Sequence, residues 1–370
     1  MDKDNFGVRY SFVSDGLTSD ERKVKIEEMK RKKNEFLRSI GYTLDENGKI
    51  LSRDIANSDG FIGFAIGDAL GVPVKNMDSN YFKTKPLYDM IGYGFYNVPR
   101  GTWSENTSLM LSIVDSICEN GNINFNDMIN RMSNWEAYNN FNGNNMGFNL
   151  SNSVSCSINK YDLGNDAINC GSNVFLDNSC LVRVLPVIYY LNSMKFSYED
   201  SVDIINSVCS LTHSNEICCL GCMIYCDYMR QLINGMDKIS SLEYVRRIEY
   251  NKYYSEDSIN YYKRILFDDI TKITSNGVNT SNNVVDTLEA SLWCLINTDS
   301  FEKALIMAVN LGGDTNTIGA IAGSMAGILY GVRNIPSRWM NKLKRKEYID
   351  EMCMLYNNFL NNNFNGKGRS

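Results

Sequence analysis

Two stretches decide the fold: Phe61-Ile62-Gly63-Phe64-Ala65-Ile66-Gly67-Asp68-Ala69-Leu70-Gly71 and, far along the chain, Ile318-Gly319-Ala320-Ile321-Ala322-Gly323-Ser324-Met325-Ala326-Gly327. In each, three glycines recur at four-residue spacing, which on an α-helix aligns them along one face. A glycine costs about 1 kcal/mol against alanine inside a helix, so three in register need a compensating reason. Close backbone approach between two packed helices is that reason. The two helices are expected to cross at the centre of one domain, tying residue 60 to residue 325 and arguing against independent halves. In a bilayer the same spacing signals helix dimerisation, but neither apolar run reaches the roughly 20 residues that span one.

Outward from these stretches the chain keeps a helical period. SLMLSIVDSICE (108–119), CLVRVLPVIYYLN (180–192), EICCLGCMIYCDYM (216–229), NNVVDTLEASLWCLI (282–296) and FEKALIMAVN (301–310) repeat apolar residues at spacings of three and four, without sustained period-two alternation. The reading is all-α, a single large orthogonal helical domain over 57–360. Residues 1–56 form an N-terminal charged helical extension. There Ser19 can cap a helix that Gly41 ends, and its run ERKVKIEEMKRKK is either a solvated amphipathic face or a docking arm for a partner. The Asn-, Ser- and Gly-rich stretch 134–173 reads as loops lining a mouth, 244–262 as an exposed or half-buried helix pair, and 361–370 as a polar tail.

Composition removes whole classes of chemistry. The 370 residues contain one histidine, His213, so zinc sites built on two or three histidines are excluded, as is a two-histidine iron triad. A net charge of −6 argues against a nucleic-acid or anionic-membrane surface. Eleven cysteines, an odd number, together with a polar N-terminus lacking a signal-peptide core, point to reduced thiols in a soluble intracellular, cytoplasmic protein. Cys218, Cys222 and Cys226 share one helical face, where small apolar residues pack. The single Cys219-x-x-Cys222 pair, with no second pair, is weak ground for a metal. Cys180 is the better candidate for a reactive thiol.

Four segments place oxygen-bearing side chains at helix ends: Gly67 to Lys75, Gly101 to Thr107, Asp177 to Pro186 and Gly312 to Thr317. Helix capping explains each one taken alone. Jointly, Ser104, Glu105 and Asn106 with Asp314, Asn316 and Thr317 bring hard oxygens to two helix starts, the donor type that Mg²⁺ accepts.

The ordered set GDALG (67–71), WSENT (103–107), DNSCLVRVLP (177–186), LTH (211–213) and GGDTNT (312–317) resembles the ADP-ribosylglycohydrolase family from about Gly60 to Gly331. The resemblance implies a single all-α domain that uses a paired Mg²⁺ centre to cleave ADP-ribose from a side chain or another acceptor. It assigns the metal to Ser104, Glu105, Asn106, Asp314, Asn316 and Thr317, with Glu105 and Asp314 orienting the attacking water. To substrate binding it assigns Asp68, Lys75, Asn178 and Ser179, together with Gly312, Gly313 and His213, the last matching a histidine at the family's pocket rim. Arg183 reads as a structural residue donating to carbonyl oxygens.

The departures fall on the chemistry. Where the family pattern carries five carboxylates, at 75, 105, 106, 314 and 316, this chain keeps Glu105 and Asp314 and has a cation at Lys75. The local charge is more positive by four units, which equals the charge of two Mg²⁺ ions. Lys75 therefore reads as a replacement for a metal ion, although one weakly held Mg²⁺ still finds four or five oxygens. Two functions are compatible with this: hydrolysis of an ADP-ribosyl bond with a reduced Mg²⁺ site, or a pseudoenzyme that binds ADP-ribose or an ADP-ribosylated protein. A third reading uses the scaffold only structurally.

Overall fold

The computed structural model describes residues 18–39, 42–44, 50–53, 58–138, 143 and 148–366. In chain order the helices are α1 (Ser19–Ser39), α2 (Ser58–Gly71), α3 (Ser79–Thr84), α4 (Glu105–Asn120), α5 (Phe125–Tyr138), α6 (Asn152–Asp162), α7 (Val184–Met194), α8 (Tyr198–Ser210) and α9 (Glu216–Ile233). They continue with α10 (Lys238–Val245), α11 (Glu256–Tyr261), α12 (Lys263–Leu266), α13 (Val284–Ile296), α14 (Phe301–Asn310), α15 (Thr315–Tyr330), α16 (Ser337–Met340) and α17 (Lys346–Gly366). The fold is all-α apart from a short antiparallel hairpin, β1 (Tyr42–Leu44) with β2 (Ile50–Arg53), in the segment before α2. Helical periodicity alone did not anticipate that hairpin. Its strands are three and four residues long, too short to register an alternation.

The glycine stripes meet as expected. Helices α2 and α15 make the most extensive helix–helix contact in the molecule. A methyl group placed on Gly67 would lie 1.9 Å from the carbonyl oxygen of Gly319, and one on Gly63 would lie 2.2 Å from that of Gly323. Backbone thus packs on backbone where any side chain would hold the helices apart. Around this pair, α15 also packs on α9, α13 and α14, while α17 closes over α2 and α4.

Two expectations need correction. The 134–173 stretch is not loop throughout: α5 runs to Tyr138, and α6 forms over Asn152–Asp162 because Val154 and Ile158, four residues apart, are both buried on one face. Residues 139–142 and 144–147 lie outside the described residues. Between 244 and 262 the segment is half-buried, as expected, with Tyr250, Tyr254 and Tyr262 pointing inward and Tyr250 donating to the buried carboxylate of Asp227 at 2.9 Å. At the other end, α17 extends to Gly366, held by the buried Leu360.

Two turns bring Lys75 and Asp314 together. Helix α2 stops at Gly71, and the Pro73-containing 3₁₀ turn Val72–Val74 delivers Lys75. The turn before α15 passes through Gly312 and Gly313 at φ of +77° and +70°. Gly313 has no room for a β-carbon, which would fall 2.1 Å from the Thr280 carbonyl oxygen. There Gly313 O accepts from Asn76 N at 2.7 Å, and Gly313 N donates to Met77 O at 3.0 Å. These bonds fix Lys75 beside Asp314.

Candidate functional site

The start of α4 is built on Asp68. Its carboxylate accepts from the backbone N–H (2.9 Å) and hydroxyl (2.6 Å) of Ser104 and from the backbone N–H (3.2 Å) and hydroxyl (2.7 Å) of Thr107. Burial pushes this carboxyl's pKa up against those four donors. Asp68 is fully buried, so it clamps α4 to α2 instead of facing an opening. Ser104 is the N-cap of α4, accepting from Asn106 N.

Capping does not explain Asp314. It occupies the N-cap position of α15 but makes no side-chain cap bond. Its Oδ2 accepts from Asn178 Nδ2 at 2.6 Å, and its Oδ1 lies 2.7 Å from the Lys75 ammonium, an ion pair without hydrogen-bond alignment. Lys75 Nζ also donates to Asn316 Oδ1 at 2.9 Å. The opposite side of the Asn316 amide donates to Ser104 Oγ at 3.2 Å, and Asn106 Nδ2 donates to Thr317 Oγ1 at 3.1 Å. Lys75, Ser104, Asn106, Asn178, Asp314, Asn316 and Thr317 therefore form one compact polar group. Burial opposes the Lys75 charge, but Asp314 and Glu105 outweigh it and hold the ammonium above the ordinary lysine range.

Glu105 completes the group. Burial pushes its pKa up to about 7 against the pull of Lys75, and among the described residues its buried Oε2 has no hydrogen-bond partner. The folded protein therefore holds this proton up to about pH 7, whereas the unfolded chain releases it near 4.5. Stability contributed by the neutral form is full below pH 4.5 and is lost as pH rises through 7. Glu105→Gln should remove that dependence: by urea unfolding, the variant gains up to about 3 kcal/mol on wild type between pH 4.5 and 7.5. Equal slopes for the two proteins would refute the raised pKa of Glu105.

His213 departs from the expectation of a pocket rim, because it is fully buried in the turn between α8 and α9. Its Nδ1 pairs with the Thr212 hydroxyl at 2.7 Å and its Nε2 lies 3.2 Å from Asp177 Oδ2. Asp177 also accepts from the Ser179 hydroxyl at 2.6 Å, so its charge is directed to His213 and Ser179. Burial raises the Asp177 pKa, but His213 and Ser179 overcome it and hold the carboxyl below its usual range. Asp177, Ser179 and His213 thus form a second network, joined to the first through Asn178. Arg183 is buried and donates to the Ser179 carbonyl at 2.9 Å.

Two residues escaped sequence reasoning. Tyr96, in the loop after α3, places its ring centroid 5.9 Å from Lys75 Nζ. That ring rests on Phe148 at 4.8 Å, within a small separate core of Val72, Val98, Trp135 and Phe148. Thr287 on α13 accepts from Asn178 at 2.6 Å. No motif marks either one. A cavity of about 840 Å³, lined by Tyr88, Trp293, Asn297 and Met307, includes none of the polar group.

Residues 58–364 match a family model described as ADP-ribosylglycohydrolase. Over 303 residues the chain is 27% identical to ADP-ribosylarginine hydrolase Tri1 of Serratia proteamaculans, covering 79% of this chain and 76% of that protein. It is 25% identical to ADP-ribosyl-[dinitrogen reductase] glycohydrolase of Rhodospirillum rubrum, covering 77% of this chain and 89% of that one. The solved structure of an ADP-ribosylglycohydrolase-related protein complex superposes with a TM-score of 0.69 at 23% identity, over 82% of this chain and 98% of its own, which supports the fold alone. Among the described residues, no helix is long and apolar enough to cross a membrane.

Proposed function

Since the chain belongs to the ADP-ribosylglycohydrolase family, we propose that its site accepts the ADP-ribosyl group of a modified protein or related acceptor, with Lys75 in the electrostatic role that dications take in the family pattern. The supporting observation is the Lys75 ammonium, 2.7 Å from Asp314 Oδ1 and 2.9 Å from Asn316 Oδ1. These are oxygens that a Mg²⁺ ion would need at about 2.1 Å. Asn106 presents an amide donor to Thr317 in place of a carboxylate, and Ser104 Oγ is engaged with Asp68 and Asn316. This donor set does not fit a paired Mg²⁺ centre, so no step is assigned to one. The ammonium neutralises Asp314 and leaves a cation-bearing, hydrogen-bonding floor for a ribose.

Calorimetric titration of the full chain with ADP-ribose in EDTA tests this reading. Binding should occur, be unchanged by added Mg²⁺ and weaken at least tenfold in Lys75→Gln. Binding that requires Mg²⁺, or no binding of ADP-ribose at all, would contradict it.

The partnerless Oε2 of Glu105 favours a second reading, hydrolysis without a metal. With a pKa of about 7, Glu105 is half ionised near neutrality and suited to general-base work. It would take a proton from water as the water oxygen attacks the anomeric carbon and the glycosidic bond breaks, and then return that proton to the departing acceptor, which leaves ADP-ribose with the hydroxyl and Glu105 ionised again. Release of ADP-ribose from an ADP-ribosylarginine peptide in EDTA, lost in Glu105→Gln, supports this; no release over hours at neutral pH leaves recognition alone.

A further inference from the structure

Away from the polar group, three cysteines distant in sequence come together. The sulfurs of Cys180, Cys209 and Cys222 all lie within 4.8 Å of one another, and all three residues are fully buried. They come from three elements: the 3₁₀ turn Asn178–Arg183, the last turn of α8, and α9. Cys218, one helical turn before Cys222, neighbours Cys180, its thiol donating to the Phe175 carbonyl oxygen at 3.6 Å. The Cys219-x-x-Cys222 pair singled out in the sequence borders this group, the Cys219 thiol coming next to Cys209, while the sulfurs nearest to Cys222 come from residues 180 and 209.

A second observation concerns charge. Arg183 is fully buried, and its guanidinium donates to the carbonyl oxygens of Ser179, Val208 and Cys209 and to the Thr212 hydroxyl, all neutral groups. Among the described residues no carboxylate pairs with it. A cation buried without a counter-ion is costly, and an anionic centre alongside would relieve that cost. Neutral thiols do not supply one, whereas metal-bound thiolates do.

We propose that Cys180, Cys209, Cys222 and Cys218 form a structural zinc site whose negative charge is offset by Arg183. Three sulfurs already gathered, with Cys218 turning from the Phe175 carbonyl oxygen that it meets at 3.6 Å to supply the fourth, would make the donor set of tetrahedral zinc, with Zn–S of about 2.3 Å and hence sulfur–sulfur separations of about 3.8 Å. The three clustered sulfurs need to close by no more than about 1 Å to reach that geometry. Zn²⁺ enters as four thiols release four protons to solvent, giving a centre of charge −2. It ties the Asn178–Arg183 turn to α8 and α9. That same turn carries Asn178, which holds Asp314 at 2.6 Å, so the metal would brace the polar group from behind.

The test is the metal content of the full chain purified under reducing conditions, combined with cobalt substitution read as thiolate-to-cobalt absorption. We expect one zinc per chain and a charge-transfer band on cobalt exchange. Both should be lost in Cys180→Ser, Cys209→Ser or Cys222→Ser and kept in Cys226→Ser and Cys294→Ser, whose thiols are buried outside the cluster. Should the ligand variants fail to fold, unmodified protein decides: chelation should lower its melting temperature, and stoichiometric zinc alone should restore it. No zinc and no cobalt band after incubation of the fully reduced chain with either ion would overturn the site and leave the thiols as packing residues. Iron or copper in preference to zinc would overturn the assignment of the ion, and equal loss of zinc in Cys226→Ser would overturn its location.

Discussion

Gly67→Ala is expected to abolish the folded state. The new methyl carbon would sit 1.9 Å from the Gly319 carbonyl oxygen, 2.4 Å from its carbon and 3.0 Å from the Ala320 nitrogen. Every one of these atoms is backbone, so no side chain can rotate out of the way. Relief requires α2 and α15 to separate along their length, which would also undo the approaches at Gly63 and Gly71, where an added methyl would fall 2.2 Å and 2.3 Å from carbonyl oxygens of α15. Ordinary overpacking costs about 1–3 kcal/mol. A whole interface displaced should exceed about 4 kcal/mol, a large part of the roughly 5–15 kcal/mol that stabilises a domain. Gly121→Ala provides the contrast: a methyl there meets nothing within 4 Å, and its φ of +70° leaves only a left-handed backbone penalty of about 1–2 kcal/mol. Soluble yield and urea unfolding should separate the two variants clearly. A Gly67→Ala protein that unfolds at nearly the wild-type urea concentration would show that the helices do not cross this closely.

Lys75→Met carries the next largest effect. Lys75 is 16% exposed along its side chain and Asp314 only 3%, so removing the ammonium leaves a buried carboxylate without its ion pair and Asn316 Oδ1 without its donor. Breaking one side of a buried pair costs about 3–5 kcal/mol. The deficit at pH 7.5 should shrink in acid as Glu105, no longer facing the ammonium, takes up its proton. It should also shrink on addition of millimolar Mg²⁺, which would do nothing for wild type. Loss of stability with no response to acid or Mg²⁺ would mean that the lysine stem, not its charge, is what the structure needs.

The legibility of the molecule depends on what constrains each residue. Glycine stripes were readable because close backbone approach excludes every other residue, so Gly63, Gly67, Gly319 and Gly323 announced the α2–α15 crossing. The convergence of Lys75 on Asp314 came from the family resemblance, which puts positions 75 and 314 in one site. Other features depend on contacts between distant parts of the chain. Asp68 was assigned to substrate binding because a carboxylate inside a glycine-rich helix has no local signature of a clamp, and only the fold brings Ser104 and Thr107 to it. His213 looked like a rim residue, yet Asp177 and Thr212 enclose it. Val154 and Ile158 carried the apolar face of α6, but the surrounding polar residues obscured their spacing. Cys180, Cys209 and Cys222 are joined by tertiary packing alone, and no spacing rule links them.

The direct measurement of the central claim, that Lys75 fills the cation position, is calorimetric titration of the full chain with Mg²⁺. Wild type should give no binding heat, while Lys75→Glu combined with Asn106→Asp and Asn316→Asp should bind Mg²⁺ because carboxylates return to the oxygens around Asp314. Wild-type binding at millimolar affinity or tighter, abolished in Asp314→Ala, would contradict the claim and restore the metal to this site.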